Sequence, residues 1–126
     1  MRIYAAVVVV LLLVLSFSFI TLNKLESSAN DMVAGLGGME MAIAGDNWEY
    51  AGTGIAKVEN LWNEHKSWWA MVIDHQEIDN ISMSLARIKH YISMQDRVMA
   101  SSELAVLKQL LVHIPEKEKV NLENIF

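Results

Sequence analysis

Residues 73–78 read Ile-Asp-His-Gln-Glu-Ile. Asp74, His75 and Glu77 are proton-handling groups within four positions, the raw material of an acid–base pair or a metal site. In a helix, positions 75 and 77 point about 200° apart, so these two cannot converge on one ion unaided. The same residues have a plainer use. With Asp74 as N-cap, Glu77 falls at N3 and completes a capping box, while Ile73 and Ile78 form the hydrophobic staple. Both carboxylates also sit at the positive end of the helix dipole. We read the stretch as a helix start.

The remaining chemistry-bearing residues are sparse. His65 lies between Trp62 and Trp69 on one helical face, where a core histidine fits better than a ligand. The chain holds no H-E-x-x-H, no G-x-S-x-G and no phosphate-binding loop. It has no cysteine, which removes disulfides and thiolate ligands. No catalytic residue, metal or cofactor is expected, and the chain is not expected to be an enzyme.

Charge narrows the partners. From residue 23 to 126 there are nine Lys/Arg against fifteen Asp/Glu, a net of −6. A nucleic-acid binder needs a basic stripe, and none is present, so no nucleic-acid partner is expected. Adhesion to anionic headgroups is disfavoured for the same reason.

Arg2 is the one charge in the first 22 residues, and residues 3–22 form an apolar run of 20. As a helix this run is about 30 Å long, the thickness of a bilayer's hydrocarbon core. It reads either as a retained transmembrane anchor over residues 1–22 or as a signal peptide with Ser16-Phe17-Ser18 at its cleavage site. The retained anchor is preferred, because Phe17, Phe19 and Ile20 carry the apolar run past that site. The positive-inside bias places Arg2 in the cytoplasm and residues 23–126 outside.

After the anchor, apolar residues step by threes and fours through four segments. Leu22, Leu25, Ala29, Met32, Leu36, Met39 and Ile43 mark a helix over about 22–44, interrupted by Gly35, Gly37 and Gly38. The glycines signal a hinge, a close helix approach or a locally weak helix. A second helix, about 47–73, starts with Asp46 and Glu49 as a capping box and carries Ile55, Val58 and Trp62; Gly52 and Gly54 near its start are unexplained. A third covers about 75–94 with Ile78, Ile81, Leu85, Ile88 and Ile92 on one face. A fourth covers about 97–114, capped by Asp96, with His113 in its last turn and Pro115 as its stop.

A shift of 49 residues superposes both helix pairs and the turn between them: Met32 on Ile81, Leu36 on Leu85, Ala51 on Ala100, Val58 on Leu107. The expected fold is all-α: an N-terminal transmembrane helix followed by two αα-hairpins, arranged as a four-helix bundle or a short helical-repeat-like stack. The domains are then an anchor over 1–22 and an acidic four-helix domain over 23–126 with a docked C-terminal tail. That tail ends in Leu122, Ile125 and Phe126, which either pack back on the bundle or insert into another protein. One of Trp68 and Trp69 must face outward, onto a partner or the membrane interface. Trp68, Trp69, Ile125 and Phe126 are therefore the candidate partner-binding residues.

The run I-D-H-Q-E-I-D-N-I-S-M-S-L-A-R-I-K-H-Y-I at residue 73 and the segment from Glu103 to the closing N-I-F resemble a family of short Gram-positive proteins, catalogued as domain of unknown function 4363. Asp46, Trp48, Glu49 and Ala51 match the family's turn. The resemblance implies a bacterial, membrane-anchored helical protein and carries over no catalytic residue. The glycines at 35, 37, 38, 52 and 54 depart from its pattern. The expected function is a non-enzymatic module at the outer face of the cytoplasmic membrane that binds a protein, such as a multi-pass membrane protein, or self-associates. The alternative is an extracytoplasmic ligand or metal sensor with a cleft between the hairpins, using His65, His75 or His90.

Overall fold

A computed structural model of the protein describes residues 1–125 and is all-helical. Its elements are α1 (Arg2–Gly35), α2 (Met39–Ala44), α3 (Trp48–Val72), α4 (His75–Ser93) and α5 (Arg97–Ile125). Phe126 and the side chain of Ile125 lie outside the described residues.

The anchor run and the first bundle helix are one unbroken rod. At 34 residues, α1 is about 51 Å long. No residue from 2 to 20 is buried, and Leu25 is the first core residue. The apolar arm therefore projects free of the bundle. Its helix is the one among the described residues that is long and apolar enough to cross a membrane.

The bundle is closed. The arm α1–α2 packs on α3, α3 on α4, α4 on α5, and α5 back on α1. That last contact joins the first helix to the last and makes a four-helix bundle, where an open stack of hairpins would leave the two apart. The stripes read from spacing form its interior: Met32, Ile43, Ile81, Ile88, Leu107 and Leu111 are essentially inaccessible to solvent.

The 49-residue shift extends to the backbone of the turns. After α2, the amides of Gly45, Asp46 and Asn47 donate to the carbonyls of Met41, Ile43 and Ala42. After α4, Met94, Gln95 and Asp96 donate to His90, Ile92 and Tyr91, each donor and acceptor displaced by 49. Asp46 and Gln95 occupy the same place and share a left-handed backbone, with φ of 58° and 54°.

Three boundaries differ from expectation. The first bundle helix breaks between Gly35 and Met39, where Gly38 adopts φ 81°, a conformation open to glycine and strained for other residues. The cap of α3 is Asn47, whose side chain accepts from the Tyr50 amide at 3.2 Å; Asp46 stands one residue too early and instead pairs with Arg97 at 2.6 Å. Glu49 is exposed in the first turn and closes no capping box that the hydrogen bonds record. Pro115 does not stop α5, which runs ten residues further to Ile125. An internal proline costs about 3 kcal/mol in a free helix, but Pro115 is buried and shares a hollow with Glu26, Ala29 and Asn30 of α1. Burial of the ring in the bundle offsets the lost hydrogen bond. The expected tail is thus the last three turns of α5, with Leu122 half-buried, and His113 is an exposed mid-helix residue.

Candidate functional site

At the opening stretch, Asp74 is the N-cap of α4 and accepts from the Gln76 amide at 3.3 Å, while Ile73 and Ile78 enter the core. Glu77 does not reach back to close the expected box. Its Oε1 accepts from Lys117 Nζ at 3.1 Å, tying the start of α4 to the far part of α5. Its Oε2 is buried without a hydrogen-bond partner among the described residues. The extension of α5 beyond Pro115 supplies this cation, which is why reading the helix as stopped there hid the pair. Glu118 is half-buried beside it, and burial, then the charge of Glu77, pushes its carboxyl above the usual range, with Lys117 opposing. Glu77 in turn raises Lys117.

The histidines do not gather. His75 and His90 are exposed at opposite ends of α4, about 22 Å apart by helix rise. His65 is half-buried on α3. Among the described residues no three His, Cys, Asp or Glu side chains group as metal ligands.

The tryptophans divide sharply. Trp69 is fully buried, its indole N–H donating to Ser28 Oγ at 2.9 Å, and Ser28 donates onward to the Leu25 carbonyl at 3.0 Å. Its ring meets Trp62 edge to face at 5.5 Å between centroids. Trp69 is therefore a core residue and leaves the set of candidate partner-binding groups, because exposing it would empty the bundle. Trp68 is the outward one of the pair, half-buried, with Lys24 Nζ 4.5 Å above its ring. Of the other two candidates, Ile125 ends α5 and Phe126 lies outside the described residues.

Asp96 caps α5, accepting from the Met99 amide at 3.1 Å. Its mate under the 49-residue shift is Asn47, so the internal repeat held the signal that would have placed the α3 cap on Asn47 in place of Asp46. No comparable signal existed for Ser28, one polar residue inside an apolar stripe.

Among the described residues, one cleft and one exposed apolar patch stand out as surfaces open to a ligand or partner. An open cleft of about 590 Å³ lies between α1–α2 and α5, with Leu36 and Leu104 in its wall and Glu40 and Lys108 as its charged side chains. None of the three histidines lines it. At the two repeat-related turns, joined by Asp46–Arg97, the large apolar side chains Met41, Met94 and Val98 are more than 60% exposed.

Comparison with known proteins adds one finding. No curated protein and no solved structure matches the chain. The family model described as a domain of unknown function (DUF4363) matches residues 19–125, the bundle and the last residues of the apolar arm, and the chain belongs to that family.

Proposed function

We propose that this chain is a membrane-anchored, non-enzymatic helical module that presents its bundle to a protein partner at the outer face of the cytoplasmic membrane. The partner is a multi-pass membrane protein or a second copy of the chain. The observation that carries the reading is an apolar arm with no buried residue, running without a break into an acidic bundle. Exposed apolar surface of this length is costly in water and favourable in lipid, at about 25 cal/mol per Å². The lone Arg2 before the arm and the acidic bundle after it favour a cytoplasmic N-terminus. Support for a partner comes from the exposed apolar side chains at the turns, Met41, Met94 and Val98, which are of the adaptable kind used in protein contacts. A photo-crosslinking residue at Val98, activated in cells, should yield a discrete adduct with one membrane protein or with the chain itself. A chain that stays monomeric and uncrosslinked at native abundance would refute the reading.

A second reading, an extracytoplasmic sensor, draws on the cleft between α1–α2 and α5. The cleft lies between the hairpins, where that reading expects it, with Glu40 and Lys108 in place of a histidine as its ionisable groups. A ligand held there would stabilise the native state. A rise in melting temperature with one compound of a small-molecule panel, abolished by Leu104→Trp, would favour it over partner docking.

A further inference from the structure

We propose that the end of the bundle nearest the apolar arm is seated in the lipid headgroup layer, so that the bundle stands directly on the bilayer. The inference rests on the anchored reading above. It follows from helix register. α3 runs antiparallel to α1: Gly35 faces Val58, Ser28 accepts from Trp69, and Lys24 lies over Trp68. Met71 is thirteen residues beyond Val58, and Leu22 is thirteen before Gly35. Helix rise is equal in both, so Met71 stands level with Leu22, the last residue of the apolar run. α5 arrives at the same height. Lys119 shares a hollow with Glu26, which brings Leu122, nearly a turn further on, close to the level of residue 23.

The chemistry of this end suits an interface. Met71 is 82% exposed, and Trp68 and Leu122 are half-buried. An indole with an ammonium over its ring, one turn from the end of an apolar span, is the combination found at headgroup depth. The unbroken α1 leaves no linker that could lift the bundle away. The contact sets Met71 and the Trp68 indole beside polar groups of the same end, the exposed Asp74 and His75 and the Glu77–Lys117 pair, a mixture suited to headgroup depth that needs no anionic lipid.

The chain has no cysteine, so a nitroxide on one introduced cysteine reports one position. Full-length Met71→Cys, Val98→Cys and Leu12→Cys proteins would be labelled and reconstituted in phosphatidylcholine vesicles. Collision with dissolved oxygen is then compared with collision with a water-soluble nickel chelate. We expect the oxygen-to-nickel ratio at 71 to exceed that at 98 several-fold and to fall below that at 12, at protein-to-lipid ratios differing by an order of magnitude. Val120→Cys, on α5, gives an independent position that should also exceed 98. A ratio at 71 and 120 equal to that at 98, with 12 in hydrocarbon, overturns the seating and leaves the anchor standing. A water-like value at 12 overturns the anchor and the seating together. A signal at 71 that vanishes on dilution into lipid means that a second copy covers this end, and also overturns the seating. Unchanged helicity of each labelled protein confirms that the bundle is intact.

Discussion

The hairpin made by α1, α2 and α3 and the one made by α4 and α5 share their turns and differ in their walls. Both reverse through the same hydrogen bonds, with a left-handed residue followed by a capping Asn47 or Asp96. The second hairpin then fills its interior with aliphatic side chains along an unbroken α4. The first places Trp62 where the second has Leu111, adds Trp69 bonded to Ser28, and interrupts its leading helix at Gly38. The interruption costs no register, since Leu36 and Met39 are spaced as Leu85 and Ile88 are, and all four are buried. It also allows close approach: a Cβ on Gly54 of α3 would come within 3.0 Å of Met39. A shared turn therefore holds the phase of both hairpins, while each wall is free to carry different bulk.

The largest test of that contrast is Trp69→Ala. It opens a cavity and strips Ser28 of its donor, and should cost about 4 kcal/mol in denaturant unfolding of the detergent-solubilised protein, against about 3 for Leu111→Ala. A larger loss at Leu111 would break the view that aromatic bulk holds the first wall. Next come Gly35 and its repeat mate Ser84. A Cβ on Gly35 would lie 2.9 Å from Val58 Cγ2, a stiff branched side chain, so Gly35→Ala should destabilise by about 1–3 kcal/mol. Ser84 is buried with its hydroxyl unpartnered among the described residues, so Ser84→Ala should stabilise by about 1 kcal/mol. Effects of the same sign at both sites would mean that the two walls are packed alike.

The turns should respond equally where the walls do not. Asn47→Ala and Asp96→Ala should each lower stability by about 1 kcal/mol, and Asp46→Ala by less, since it breaks an exposed ion pair. Unequal losses at the two caps would separate turns that the backbone makes identical. The smallest effect is expected at Glu118. Its folded carboxyl is raised by burial and then by Glu77, so the native state binds protons more readily than the unfolded chain. Stability from this group is complete below the ordinary carboxylate range and is lost as pH rises through the raised value. Glu118→Gln should therefore raise the melting temperature at pH 7, by no more than about 1 °C because solvent screens the partly exposed group, and leave it unchanged at pH 3. A shift of the same size at both values would assign the effect to packing.

Much of this was legible from spacing alone. Periodic apolar positions identify the core faces because burial in a bundle is a repeating demand, and the repeat follows from the same stepping. The misreadings share a cause, the use of a local rule at a place where a distant contact decides. Pro115 breaks helices in isolation, but here its ring is buried against the tertiary structure. Asp46 is a good capping residue by type, yet Arg97, 51 positions away, holds it while Asn47 caps. Glu77 was matched to its own helix start when Lys117 on another helix claims it. Trp69 shares the core face with Trp62 by spacing, but its hydrogen-bond partner Ser28, on another helix, is one that no periodicity singles out.

The seam between arm and bundle is a single helix with no joint, so mechanical work can pass along it. Set in a bilayer, such a mast would convert the lean of its root into travel at its head. Over the length of α4, 19 residues or about 28 Å, a lean of about 20° moves the turns sideways by about 10 Å. Membrane thickness could thereby steer where Met41, Met94 and Val98 are held.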